Sequence, residues 1–400
     1  MWFAFNPSAR TSRLNNYYLL RFISSRLLLF IVRMVIVVLL ALTPTGGRIA
    51  AAATSSFGPK QDFATGATPR AVSEVDLNGD GKLDLVTANV NDNTVSVLLN
   101  NTAPGAVTTS FAPKQDFATG AGPISVAVGD LNGDGKPDLA TANFNANTIS
   151  VLINITGPGA ATPGFAAKQD FATAGEPIFG TVADLNGDGK LDVATVNLFS
   201  NNVSVLLNTT IPGANIPSFA ASQEFATGPS PVSLTACDLN SDGKLDLAVT
   251  AIDSDTVSVL LNTTAPGAGT PSFAAKQDFA TGSHPQSVTN VDLNGDGKLD
   301  LVVANAFSDT LSVFINNTTP GATTQSFAAK QDFATGSSPI TVTAGDLNGD
   351  GKFDLVVTNF GSDSVSVLPN TTTPGAATPS FATNQDFATG LHPQSVKTSI

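Results

Sequence analysis

A nine-residue stretch, Asp76-Leu77-Asn78-Gly79-Asp80-Gly81-Lys82-Leu83-Asp84, returns nearly unchanged five more times in this 400-residue chain. The six copies begin at Asp76, Asp130, Asp184, Asp238, Asp292 and Asp346, each 54 residues after the one before. A period that strict means one supersecondary unit copied in tandem, a unit that buries its faces only against its neighbours.

Within the stretch, positions 1, 3, 5 and 9 carry side-chain oxygens, position 6 is glycine, and position 7 offers a backbone carbonyl. That donor set suits a hard cation taking six or more oxygens at about 2.3–2.6 Å, and calcium is the natural candidate. The expected ligands of the first loop are Asp76, Asn78, Asp80, Lys82 (through its carbonyl) and Asp84. The second and third offer Asp130, Asn132, Asp134, Lys136 and Asp138, then Asp184, Asn186, Asp188, Lys190 and Asp192. The fourth and fifth offer Asp238, Asn240, Asp242, Lys244 and Asp246, then Asp292, Asn294, Asp296, Lys298 and Asp300. The sixth offers Asp346, Asn348, Asp350, Lys352 and Asp354. The Lys82 ammonium is expected to point to solvent. An EF-hand starts the same way but needs Glu at position 12 and flanking helices. Position 12 here is Thr87, Thr141, Thr195, Val249, Val303 or Val357, and each loop leads into a short β-rich run. A single D-x-N-x-D-G would read as an Asx-rich turn; six copies with Asp always at position 9 argue for a metal site.

Charge separates the chain into two parts. Residues 1–53 hold six arginines and no acid, so residues 54–400 keep 13 basic residues against all 32 acids, a formal charge of −19. Such a body repels nucleic acid and anionic membrane surfaces. Six bound Ca²⁺ would bring it to about −7, so much of the acidity is site charge. The leader has an apolar run from Leu27 to Thr43, preceded by basic residues and followed by Ala50-Ala51-Ala52-Ala53, the form of an export signal cleaved near Thr54 or, if retained, of an N-terminal membrane anchor. The domains expected are therefore a leader, 1–53, and a repeat body, 54–400. The lone Cys237 falls in a slot for small or apolar residues and reads as packing. An exported body without disulfides would look to metal for its cross-links.

Residues 107–160 show one unit. A strand over Phe111 to Gly120 precedes a second over Ile124 to Val128; the metal loop leads to a third, Asp138 to Asn143, and a fourth runs from Thr148 to Asn154. Four strands per unit, turn residues at short intervals and no sustained helical periodicity define an all-β chain. Four-stranded blades stacked radially into a propeller fit best, with a β-solenoid as runner-up.

The combination of F-A-T-G, P-x-S-V, D-L-N-G-D-G-K-x-D-L and T-V-S-V-L-L-N resembles the FG-GAP/VCBS repeat family, related to the propeller of integrin α subunits. The resemblance implies a seven-bladed ring, with Ca²⁺ in the loop joining the first two strands of each blade and the D-F-A-T-G strand outermost in the preceding blade. Ser241 at position 4, and Pro137 and Phe353 at position 8, depart from the pattern without removing a ligand. D-F-A-T-G occurs seven times, counting Glu224 and Ala174 variants, but the loop only six times, so six complete repeats and a partial seventh are expected. A strand over Ser56 to Gly66 is the expected outer edge of that last blade.

No nucleophile elbow, H-E-x-x-H motif or phosphate-cradling glycine loop is present, and His284 and His392 share one register of variable loop residues. The expected role is therefore non-enzymatic: a secreted or cell-surface calcium-binding propeller that acts in ligand binding or adhesion toward an extracellular protein or glycan. The alternatives are a structural module of a larger surface protein and a polysaccharide-active enzyme. Variable tips such as Asn91-Asp92-Asn93 and Phe199-Ser200-Asn201 are where a ligand is expected.

Overall fold

The structure, a computed structural model, describes residues 38–39 and 61–398. The expected export signal, apart from Val38–Leu39, and the alanine run before Thr54 lie outside these residues.

Six four-stranded antiparallel sheets succeed one another along the chain, each with its strands in sequence order. The first comprises Pro69–Val75, Asp84–Asn89, Thr94–Leu98 and Gln115–Ala118, and the other five repeat it, opening at Pro123, Pro177, Pro231, Pro285 and Pro339. The opening strand of each sheet packs beside that of the next, as blades do around an axis. This is a six-bladed β-propeller, all-β as the repeat demands, with no helix among the described residues. Q-D-F-A closes the blade before it, the placement the family resemblance implies. Each opening strand breaks register after its proline, which has no N–H for the ladder.

Two strands are shorter than the sequence suggests. The run Phe111 to Gly120 holds ladder pairing only over Gln115–Ala118, and the fourth stops at Leu152. Beyond them the chain keeps only single bridges, Asn100↔Phe111 and Asn154↔Phe165. The freed phenylalanine turns its ring edge-on against one from the preceding outer strand, as Phe165 does against Phe117 at 4.8 Å.

The core lies between blades. The second strand is buried at every position in all six sheets, because alternate side chains face the blade before and the blade after. Val86, Val95 and Val97 of the first blade thus pack with Val126, Leu139 and Leu152 of the second. Ala140, Ile149 and Val151 face the third, against Val193 and Leu206. Cys237 is buried in such a seam beside Leu239, and burial pushes its thiol pKa up; it packs rather than reacts.

The partial seventh unit appears as a single stretch. Val396 packs on Val356, Val365 and Val367 of the sixth blade, and the Thr341 hydroxyl donates to the Gln394 carbonyl at 2.8 Å, as Ser73 does to Val126 one joint from the other end. Lys397–Thr398 then pairs in parallel with Val38–Leu39. The strand expected over Ser56 to Gly66 is not formed where it is described: residues 61–66 have no ladder pairing. Phe63 still meets Phe111 edge-on at 4.8 Å, the contact that Phe117 of the first blade's outer strand makes with Phe165.

Candidate functional site

Antiparallel order puts the six Asp-rich loops, each joining first and second strands, on one face with the long connectors between third and fourth strands. The hairpins between second and third strands lie on the opposite face.

In each loop the position-1 carboxylate caps the turn. Asp76 accepts from the N–H of Asp80 at 3.1 Å and of Gly81 at 2.8 Å. The Asn78 and Asp80 oxygens accept from Asp80 N–H at 3.2 Å and Lys82 N–H at 3.0 Å. These bonds draw positions 1, 3 and 5 into one loop, which needs the left-handed region at position 4 (Gly79, φ 67°; Ser241, φ 55°) and position 6 (Gly81, φ 81°). A Cβ on Gly79 or Gly81 would meet nothing within 4 Å, so the glycines serve conformation, not close packing.

Position 9 is set apart. Asp84 is fully buried, and its carboxylate accepts from Leu77 N–H at 2.9 Å and Asn100 N–H at 2.7 Å. The other five copies repeat both bonds. Burial pushes Asp138, Asp192 and Asp246 up to about 6 and Asp300 to about 7, against those two bonds, and the carboxylates at positions 5 and 1 push the same way. Asp84 and Asp354 are raised for the same reasons.

In kind, the three carboxylates and one amide oxygen of each loop suit a hard divalent cation, and the carboxylates at positions 5 and 1 push up the pKa at position 9. Among the described residues, no group of three or more His, Cys, Asp or Glu side chains is placed so as to hold a metal ion. Three of the six lysine ammoniums have protein partners. Lys82 Nζ lies 3.7 Å from the Asp80 carboxylate, and Lys298 and Lys352 each donate to a backbone carbonyl, of Thr318 and Thr372, at 2.9 Å.

Sequence reasoning missed the partners that hold five of these loops. Asn154, in the second blade, donates from Nδ2 to the carbonyls of Leu77 in the first loop (2.9 Å) and of Pro137 in its own (3.0 Å), while its Oδ1 accepts from Thr156 N–H. The same register is Asn100, Asn208, Asn262, Asn316 and Asn370, always with Thr two residues later, and that sixfold recurrence was the available signal.

On the hairpin face, Asn93 Oδ1 accepts from Gly122 N–H at 2.8 Å, and Asn147, Asn201, Asp255, Asp309 and Asp363 repeat the bond at the next five connections. His284 and His392 sit in the recipient register, which takes positive φ throughout. His284 stacks on Phe307 at 4.0 Å and its pKa is lowered by burial, so the histidines are loop residues as expected. Among the described residues, Phe199 (67% exposed) and Phe307 (41% exposed) are the large aromatics most open to solvent on this face.

The FG-GAP-like repeat family matches residues 76–141, 184–249, 238–303 and 292–357, together more than half of the chain. The chain belongs to that family. A Plasmodium falciparum protein, a T-cell immunomodulatory protein homolog, is 27% identical over 266 residues, 57% of this chain; the chain spans 36% of that protein's length. Among solved structures, a periplasmic gluconolactonase of Pseudomonas aeruginosa superposes with TM-score 0.56 at 15% identity, covering 84% of this chain and 88% of its own. A Lactobacillus plantarum protein does so with TM-score 0.54 at 14% identity, over 84% and 88%. At such identities the likeness is one of fold.

Proposed function

We propose that this chain is an exported, calcium-binding propeller that serves as a ligand-binding or adhesion module. The observation that carries the calcium reading is the oxygen donor set built six times in one register, with a buried position-9 carboxylate in each. The binding reading rests on the opposite face, where the hairpins that differ most between blades expose Phe199 and Phe307. Export rests on the leader, residues 1–53, and on a family resemblance to integrin α propellers.

Bound calcium would supply positive charge among three carboxylates per loop. The chain's own residues orient the oxygens: Asp76 and its equivalents fold the turn, Asn78 turns its Oδ1 inward, and Asp84 ties the loop to the end of the third strand. The gluconolactonase shares only the fold, and catalysis is not part of this reading. A calcium count on the purified chain, with a glycan and protein array run with and without chelator, tests both halves. Calcium bound in several-fold molar excess and a chelator-sensitive ligand support the reading. Absence of calcium would refute the first half, and turnover of an arrayed polysaccharide would replace the second with an enzyme.

A further inference from the structure

We propose that the position-3 asparagine is an interblade latch, so that an ion bound in one blade's loop orders the connector of the next blade. This rests on the calcium reading above. Asn186 shows the arrangement. Its Oδ1 turns into its own loop and accepts from Asp188 N–H at 3.1 Å; its Nδ2 turns outward and donates to the Ala268 carbonyl at 3.1 Å, 82 residues along, in the connector of the following blade. Its backbone carbonyl accepts from Gly267 N–H at 2.7 Å. Asn262 completes the clamp by donating to the Leu185 carbonyl at 2.8 Å. The same bonds recur at Asn78, Asn132, Asn240 and Asn294, so five joints carry the latch.

The residue type follows from the two jobs. A loop that only bound calcium would gain from Asp at position 3, since carboxylates draw the ion more strongly than an amide. A carboxylate has no donor, and against the Ala268 carbonyl it would set acceptor against acceptor in a nearly closed space. Asn alone of the two gives an oxygen to the loop and an N–H to the neighbour. Asn is 5% exposed at position 186 and stands at position 3 in all six loops.

Coupling then runs both ways: an ion that fixes the Asn186 amide favours the docked connector, and a docked connector favours the loop that binds. The joint would stiffen as its loop fills.

The test is amide hydrogen exchange on the full chain at Gly267 and Ala268, with and without calcium, beside a count of bound calcium. In the wild type, calcium should slow exchange at Gly267 roughly five- to tenfold, the weight of about one hydrogen bond. Asn186→Asp should remove the protection that calcium gives Gly267, while Asn348→Asp, in the sixth loop, should leave exchange at all five connectors untouched. A calcium-loaded wild type whose Gly267 exchanges as fast as in chelator overturns the latch while leaving calcium binding intact. A count of zero overturns both. The wild-type comparison needs no variant, so it stands even if Asn186→Asp fails to fold.

Discussion

The first five Asp-rich loops and the sixth share nearly one sequence and one internal turn, yet their surroundings differ. In the first, Leu77 and Asn78 are buried beneath the next blade's connector. In the sixth, Leu347 is half-buried and Asn348 exposed, and no connector covers them among the described residues. Asp350 N–H still reaches Asn348 Oδ1 at 2.9 Å, so the turn forms without help. The difference teaches that each loop is folded by its own nine residues and closed by its neighbour.

That contrast should show first in position 9. Asp246→Ala strands the N–H groups of Leu239 and Asn262 in a fully buried place, and should cost about 2–5 kcal/mol. Asp354→Ala opens an equivalent pair beneath a half-buried Leu347, where water can reach, and should cost clearly less. Equal losses in denaturant unfolding would mean that the neighbouring connector contributes nothing.

Acidity offers the next contrast. The folded pKa values of Asp138, Asp192 and Asp246 near 6, and of Asp300 near 7, stand above the usual value of about 3.9, so the metal-free folded state holds these protons more tightly than the unfolded chain. In chelator, stability should therefore fall as pH rises from about 4 to about 7 and level off above. With calcium the fall should vanish, because the ion takes only deprotonated ligands. Melting curves across that range, with and without calcium, decide it; a metal-free protein that gains stability as pH rises through 4 to 7 would contradict the burial of these carboxylates.

A smaller effect separates two glycines with the same left-handed backbone. Gly159 (φ 64°) donates its N–H to the Asn78 carbonyl, whereas its equivalent Gly105 (φ 75°), in the first blade's connector, has no preceding loop to hold among the described residues. Alanine at either should cost about 1 kcal/mol of backbone strain, with up to about 1 kcal/mol more at Gly159 from the disturbed joint. Identical midpoints for the two variants would argue against that joint.

The smallest effect should be a gain. Thr87 and Thr141 donate to Asn89 and Asn143 Oδ1 at 3.2 and 3.0 Å, but Val303 occupies that register in the fifth blade and Asn305 Oδ1 is left without a partner. Val303→Thr should be neutral or stabilise by about 0.5–1 kcal/mol; a marked loss would show that the valine methyl matters more than the bond.

The fold was readable because period and composition act within one unit: the 54-residue spacing, the second-strand runs such as Asp138-Leu139-Ala140-Thr141-Ala142-Asn143, and the turn-forming Asp and Gly positions all report local conformation. The clamps were not, because Asn154 to Leu77 and Asn78 to Ala160 join residues 77 and 82 apart. A strict repeat shows each unit the same face and hides which copy touches which. The shortened Phe111 strand was misread for a related reason: its ring packs on Phe63, outside its own ladder, as the Phe165 ring packs on Phe117 of the preceding blade. The carbonyl partners of Lys298 and Lys352 were likewise hidden, because that of Thr318 approaches only once the connector is folded.

The central claim is that these loops are metal sites that hold the ring together. Thermal unfolding of the full chain in millimolar calcium and in chelator, with bound calcium counted on the folded protein, tests it most directly. With site dissociation constants of about 10⁻⁴–10⁻³ M, each loop should contribute roughly 0.4–1.4 kcal/mol, so calcium should raise the midpoint well beyond error and the count should approach one ion per loop. An unchanged midpoint with a count near zero would mean that the six loops are turns and nothing more.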